Sequence, residues 1–280
     1  MRSINFTKGH ATLNDFVVLV DRHDTTPLSV EDVRLICDRH GGIGADGLLR
    51  AVKSEHMPDW DGDPELWFMD YRNADGSIAE MCGNGTRLFA RYLVDNDLAE
   101  GPDVQIGTRA GLRNLHLHAD GSVSTQMGIV RLLDDPVEVT LGRDTWPARK
   151  VDVGNPHAVV MLPPGVRVNE LDLSQAPTWS PVDAFPEGVN VEFMEVADDH
   201  HLAMRVHERG VGETLSCGTG TVATAAAHAA AAGTGDGEYR VDVAGGVLHV
   251  TLQGAEATLR GPAMVVARGE LQLPDRPSVE

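Results

Sequence analysis

Apolar residues in this chain fall mostly into short alternating or continuous runs, which is the period of strands rather than helices. Asp15-Phe16-Val17-Val18-Leu19-Val20 and Glu65-Leu66-Trp67-Phe68-Met69-Asp70-Tyr71 read as strands. So do residues 48–52, 111–118, 122–127, 149–153, 158–162, 189–196 and 201–207, and later 239–243, 247–252, 257–259 and 263–267. Helical patterns are few. Ser29-Val30-Glu31-Asp32 is a capping-box-like start, after which Val33, Ile36 and Cys37 share one face. Leu88, Phe89, Tyr92 and Leu93 mark the face of a second helix. Residues 222–232 are almost wholly small and apolar, with Gly233 placed to stop them. A helix apolar all round is buried, and so many alanines suit one squeezed among strands. Residues 53–64, rich in Asp, Pro and Gly, read as a surface loop, and the proline-rich 163–188 as a long irregular connection. The pattern predicts an α+β fold rich in strands.

The pattern also repeats. Cys82-Gly83-Asn84-Gly85-Thr86 and Cys217-Gly218-Thr219-Gly220-Thr221 read Cys-Gly-x-Gly-Thr twice, one copy in each half, each running into a helix. Asn73 stands nine residues before Cys82, and Glu208 nine before Cys217. Leu13-Asn14-Asp15-Phe16 is echoed by Gly154-Asn155-Pro156-His157. Two pseudo-symmetric halves follow, each a strand-rich sheet wrapping a buried helix. Gly42-Ile43-Gly44-Ala45-Asp46-Gly47 matches GxGxxG, but it follows a helix and enters a strand. A dinucleotide fingerprint does the reverse, so this is a glycine turn.

Composition narrows the function. A net charge of −19 over 280 residues argues against a nucleic-acid or anionic-membrane partner. No apolar run approaches a membrane span, and the N-terminus lacks a signal-peptide core, so a cytoplasmic protein is expected. Three cysteines without a CxxC suggest neither a disulfide framework nor a cysteine-rich zinc site, and no metal or phosphate-loop motif is present.

A cysteine at a helix start meets unpaired N–H groups and a positive dipole, which lower its pKa and attract anions. Two such thiols suit inversion of a carbon centre next to a carboxylate, one as base and the other as acid on the opposite face. Helix N-termini would oppose the charge that develops on the carboxylate. Two other readings stay open, a pair of buried structural cysteines and a redox pair. Asn14, Asn73, Asn155 and Asn190 sit beside strand ends, as turn residues or as grips on an amino-acid substrate. Glu208-Arg209 is either a surface pair or a clamp for ammonium and carboxylate. His157 is either a satisfied strand-end residue or a group that tunes a thiol.

Several blocks carry a family resemblance. They are Asn14-Asp15-Phe16-Val17, Gly42-Ile43-Gly44-Ala45-Asp46, Asn73-Ala74-Asp75-Gly76, Met81-Cys82-Gly83-Asn84-Gly85, Gly154-Asn155-Pro156-His157 and Gly188-Val189-Asn190. Residues 208–214 (Glu-Arg-Gly-Val-Gly-Glu-Thr) and Ser216-Cys217-Gly218-Thr219-Gly220 complete the set. In that order the sequence resembles the diaminopimelate epimerases, pyridoxal-phosphate-independent enzymes of lysine and peptidoglycan precursor biosynthesis. The resemblance implies interconversion of LL- and meso-diaminopimelate, with Cys82 and Cys217 as the acid/base thiols and no cofactor. It implies substrate contacts at Asn14, Asn73, Gly83, Asn84, Asn155, Asn190, Glu208, Arg209, Gly218 and Thr219, with His157 and Glu208 influencing the thiols. It implies two pseudo-symmetric domains, each a strand-rich barrel-like sheet around a central helix: a discontinuous N-terminal domain of residues 1–128 and 263–280 and a C-terminal domain of 129–262, with an active site in the cleft between them, and a homodimer. Gly47 departs from the family, where many members carry a Gln that touches the substrate. The block before Asn14, Lys8 to Leu13, has fewer glycines than is common. Proline and hydroxyproline racemases share the fold and are the alternative enzymes. A thiol-based redox sensor or a ligand-binding protein is the alternative of another class.

Overall fold

The computed structural model describes residues 1–58 and 60–274. The chain forms two compact units. One takes Met1–Ala11, Asp15–Val123 and the chain from Ala263 on, and the other takes Thr12–Asn14 and Ser124–Pro262. Residues 275–280, assigned from the sequence to the N-terminal domain, lie outside the described residues.

In the first unit, strand Arg2–Ala11 pairs antiparallel with Met264–Leu273. The first of these strands escapes a hydrophobic pattern because only Ile4 and Phe6 alternate before Thr7-Lys8-Gly9-His10. Strand Asn14–Val20 runs parallel to Gly47–Lys53, which pairs antiparallel with Trp67–Asn73. Helix α1, Val30–Cys37, opens on the expected capping box. Ser29 Oγ accepts from the Asp32 N–H at 3.2 Å, and Asp32 Oδ2 accepts from the Ser29 N–H at 2.9 Å. The glycine turn closes this helix. The N–H groups of Ile43, Gly44 and Ala45 satisfy its last carbonyls, at Ile36 and Cys37.

Helix α2, Gly83–Asp95, packs on Arg2–Ala11, Trp67–Asn73, Arg113–Leu117 and Met264–Leu273. Leu88, Phe89 and Leu93 are fully buried there, among Phe16, Leu49, Met69 and Ile106. Each such side chain contributes about 1.5–3 kcal/mol relative to exposure.

In the second unit, strand Pro156–Met161 runs parallel to Asn190–Asp198, with His157 opposite Asn190. Asn190–Asp198 pairs antiparallel with His201–Glu208, and Gly237–Val243 lies parallel to that strand. Gly246–Gln253 and Glu256–Pro262 continue the antiparallel series. Helix α3, Gly218–Ala232, touches Pro156–Met161 and these other strands, so sheet surrounds it. It begins four residues before the apolar run that signals it, because Gly218-Thr219-Gly220-Thr221 is already helical. Gly233 ends it at φ 69°, a left-handed geometry that suits glycine.

Two stretches differ from the sequence reading. Residues 163–188 are not wholly irregular. Thr178–Ser180 pairs with strand Arg131–Leu141, and Val168, Leu173 and Phe185 are buried in the unit's core. The strand Arg131–Leu141 is hidden in the sequence by Asp134-Asp135-Pro136. Its register against Asp144–Asp152 shifts between Leu133 and Val137, which takes the proline out of the ladder. The fold is otherwise the strand-rich, two-unit α+β architecture that the pattern predicts.

Candidate functional site

The two cysteines occupy equivalent places in their own units. Cys82 is the N-cap of α2, with φ −138° and ψ 120°, and Cys217 the N-cap of α3, with φ −121° and ψ 117°. In each, Sγ accepts the N–H three residues on, from Gly85 or Gly220, at 3.4 Å. In each, the cysteine carbonyl accepts the first helical N–H, from Thr86 or Thr221, at 2.9 Å. A sulfur held this way lies at the positive end of the helix dipole, a setting for an anion.

The first unit holds Cys82, Gly83, Asn84 and Asn73. Cys82 is half-buried and Asn84 is buried. Asn84 Oδ1 accepts from Arg87 Nη2 at 2.7 Å, and the Gly83 carbonyl accepts from Arg87 Nη1 at 3.1 Å. Arg87 is fully buried. Burial lowers it to about 10, against the opposing pull of Cys82. A cation so close to a thiol favours the thiolate. The sequence reading missed Arg87, which sits between Thr86 and the apolar face of α2 and looks like a solvated helix residue.

Asn73 ends its strand opposite Gly47 and donates from Nδ2 to Ser77 Oγ at 3.0 Å. Gly47 has no room for a side chain. A Cβ there would lie 2.8 Å from both the Arg72 carbonyl oxygen and the Tyr71 ring. Tyr71 occupies the space beside the Gly47 Cα, and Phe16 braces it edge-on at 5.9 Å.

The second unit holds the larger set. Asn14 opens its strand after Thr12 and Leu13, which take φ values of 51° and 60°. Two successive left-handed residues suit a tight turn between strands. Asn190 Oδ1 accepts from the Arg209 N–H at 2.9 Å, which joins two expected contacts. The Arg209 side chain lies against Gly188 and donates from Nη1 to the Glu187 carbonyl at 3.3 Å.

Thr219 Oγ1 lies 3.5 Å from Cys217 Sγ and accepts from Asn155 Nδ2 at 3.4 Å. Asn155 Oδ1 lies 3.0 Å from His157 Nε2, and His157 Nδ1 lies 2.7 Å from Glu192 Oε1. Glu208 accepts from the Thr214 hydroxyl and shares a hydrogen bond with Cys217. Burial pushes the Glu208 carboxyl up, and the Glu192 carboxyl with it.

Cys217 itself corrects the expectation of a lowered pKa at both helix starts. Burial, then the Glu208 and Glu192 carboxyls, raises its thiol well above the ordinary range. The dipole is outweighed because two acids and a dry setting oppose the thiolate. Glu192 is the second residue that sequence reasoning missed. Its signal is an acid within the apolar run Val189 to Met194. Among the described residues, no three His, Cys, Asp or Glu side chains are placed to hold a metal, and no helix is long and apolar enough to cross a membrane.

Comparison with known proteins gives a consistent family. A family model described as diaminopimelate epimerase matches residues 6–133 and 149–273. The diaminopimelate epimerase of Streptomyces coelicolor is 46% identical over 276 residues, covering 95% of each chain. That of Corynebacterium glutamicum strain R is 45% identical, covering 97% of this chain and 99% of its own. Among solved structures, a PhzF-family phenazine biosynthesis protein of Bacillus anthracis superposes with a TM-score of 0.70 at 16% identity, covering 98% of this chain and 100% of its own. A hydroxyproline epimerase of Agrobacterium vitis gives 0.70 at 15% identity, covering 98% and 94%. Identities this low establish a shared fold alone.

Proposed function

Since the chain belongs to the diaminopimelate epimerase family and is an isomerase, we propose that it interconverts LL- and meso-diaminopimelate by a cofactor-independent two-thiol mechanism. Its place would be lysine and peptidoglycan precursor biosynthesis, as a cytoplasmic homodimer. The observation that carries the mechanism is the matched pair of cysteine N-caps, each with its sulfur on the N–H three residues into a glycine-rich helix start.

In the proposed reaction both thiols act on one α-carbon. The base thiolate takes the α-proton, and the electron pair of the broken C–H bond spreads into the adjacent carboxylate. The acid thiol returns its proton to the opposite face. The centre is inverted and the two sulfurs have exchanged protonation states. Helix N–H groups, including those of Gly83, Asn84, Gly218 and Thr219, stabilise the charge that the carboxylate gains. Asn14, Asn73, Asn155 and Asn190 supply amide contacts, Glu208 meets an ammonium and Arg209 a carboxylate.

The unequal surroundings favour unequal resting states. Burial and two acids favour the thiol at Cys217. Arg87, a buried cation that interacts with Cys82, favours the thiolate there. His157 acts on the Cys217 side.

The test is proton exchange. LL-diaminopimelate in deuterated water, under reducing conditions and without added cofactor, is expected to gain one α-deuterium as it becomes the meso form. Proline and hydroxyproline, run beside it, are expected to stay unlabelled. Absence of exchange on diaminopimelate would sink the proposal, and exchange on proline alone would transfer it to the racemases.

A further inference from the structure

Glu192 lies inside strand Asn190–Asp198 with no exposed surface. Its Oε1 faces His157 Nδ1 at 2.7 Å, and that ring is fully buried too. Its Oε2 is buried without a hydrogen-bond partner. The carboxyl fits under the start of α3 only because residue 220 is glycine. A Cβ there would lie 2.5 Å from Oε1. From Glu192 the polar groups run on in a line: His157 Nε2 to Asn155 Oδ1 at 3.0 Å, then Asn155 Nδ2 to Thr219 Oγ1 at 3.4 Å, beside Cys217.

Counting protons along this line fixes its sense. An amide oxygen only accepts, so His157 Nε2 carries a hydrogen when it faces Asn155 Oδ1. Nδ1 then either accepts from a protonated Glu192 or, in an imidazolium, donates to a Glu192 carboxylate. The unpartnered Oε2 favours the first. A buried carbonyl-type oxygen tolerates a missing partner far better than a buried carboxylate oxygen does. Glu208 and Cys217 are the other titratable groups here, and an ionised Glu192 would repel the charged form of each.

A third arrangement puts the proton on Nδ1 and leaves Nε2 bare. The Asn155 amide must then turn over and present its oxygen where the proposed function needs a donor for a carboxylate.

We propose that Glu192 is a positioning residue: as a neutral acid it donates to His157 Nδ1, and through the ring it locks the Asn155 amide with its oxygen inward and its NH2 toward the substrate carboxylate. This rests on the epimerase reading for the identity of the anion. The lock itself is a property of the free protein. One of the two amide hydrogens is spent on Thr219, and the other remains for the substrate.

Long-range 15N–1H spectra of the ring nitrogens test the lock without turnover. The His157 signal, identified by its loss in a His157→Gln protein, is expected to show the neutral tautomer protonated at Nε2. An Nδ1-protonated ring or an imidazolium overturns the proposal.

Kinetics on diaminopimelate supply the second arm. Glu192→Gln keeps a neutral donor to Nδ1 and is expected to leave KM within about threefold. Glu192→Leu removes the donor and is expected to raise KM roughly tenfold while kcat changes much less. Equal loss in both variants, or an unchanged KM in a folded Glu192→Leu protein, overturns the proposal. If the wild-type protein exchanges no diaminopimelate proton, it is the epimerase reading that falls, and the tautomer result still decides the lock.

Discussion

Cys217 and Cys82 show how two similar residues can meet dissimilar surroundings. The sulfur at the start of α3 is dry and faces two acids, while the sulfur at the start of α2 has an arginine beneath it. The proposed mechanism starts with its two thiols in opposite protonation states, so it predicts a bell-shaped rate profile whose alkaline limb reports the thiol with the higher pKa. That thiol is Cys217. Replacing Glu208 by Gln removes one negative neighbour, so the charged thiolate becomes easier to form and the limb moves to lower pH. Burial is the larger cause, so the expected displacement is under about one pH unit. A rate profile of the Glu208→Gln protein checks it, with KM expected to rise as well because an ammonium contact is lost. An unmoved limb would detach Glu208 from Cys217. Gly47 makes a related point. The family resemblance marks it as a lost contact, but only the structure shows that Tyr71 already occupies the space.

At the scale of elements, much of the architecture is legible in hydrophobic pattern. α3 announces itself by alanine content, and its buried Thr221, Thr224 and His228 are the few polar residues such a helix takes inside. Its packing leaves no slack. Ala225 is fully buried among strands, so Ala225→Leu is expected to destabilise the protein by about 1–3 kcal/mol. Urea unfolding measures this, and a stability equal to wild type would mean that the strands around α3 are loose. The cysteine caps were readable because Cys-Gly-x-Gly-Thr is local and repeated.

Two strands were not readable. Arg2–Ala11 is made by its pairing with Met264–Leu273, far along the chain, and Arg131–Leu141 by a bulge that disposes of a proline. Partners of that kind leave no local period. Glu192 and Arg87 were missed for the opposite reason. Each has an ordinary local signal, a charged residue beside apolar ones, and its meaning comes only from what burial places next to it.

Across the whole molecule the charge is strongly negative, −19 at pH 7, yet individual acids are tied into the fold. Asp70 is buried among Arg50, Arg72 and Arg109, at 3.0, 3.2 and 2.5 Å. Burial alone would raise it, but the arginines win and hold it below the usual carboxylate range. Asp15 is depressed in the same way by Arg39 and Lys8 against its burial.

A carboxyl whose folded pKa is depressed adds stability above its unfolded pKa, about 3.9, and loses it as pH falls toward the folded value. Asp70→Asn breaks the cluster and is expected to cost about 3 kcal/mol at pH 7. Denaturation of the two proteins from pH 7 down to pH 2 should show a steady gap to about pH 4 and convergence below it, as the wild type is acidified. A gap that stayed constant with pH would show the loss to be one of packing.

The pairing of Arg2–Ala11 with Met264–Leu273 also sets an order of events during synthesis. Residues 124–262, which make up nearly all of the second unit, have left the ribosome before the closing strand of the first unit exists. The unit that starts to emerge first is therefore completed last. Until then Arg2–Ala11 presents an open edge of N–H and C=O groups, the kind that recruits other nascent chains. The polar run Thr7-Lys8-Gly9-His10, which hid this strand from a hydrophobic pattern, is also what keeps that waiting edge in solution.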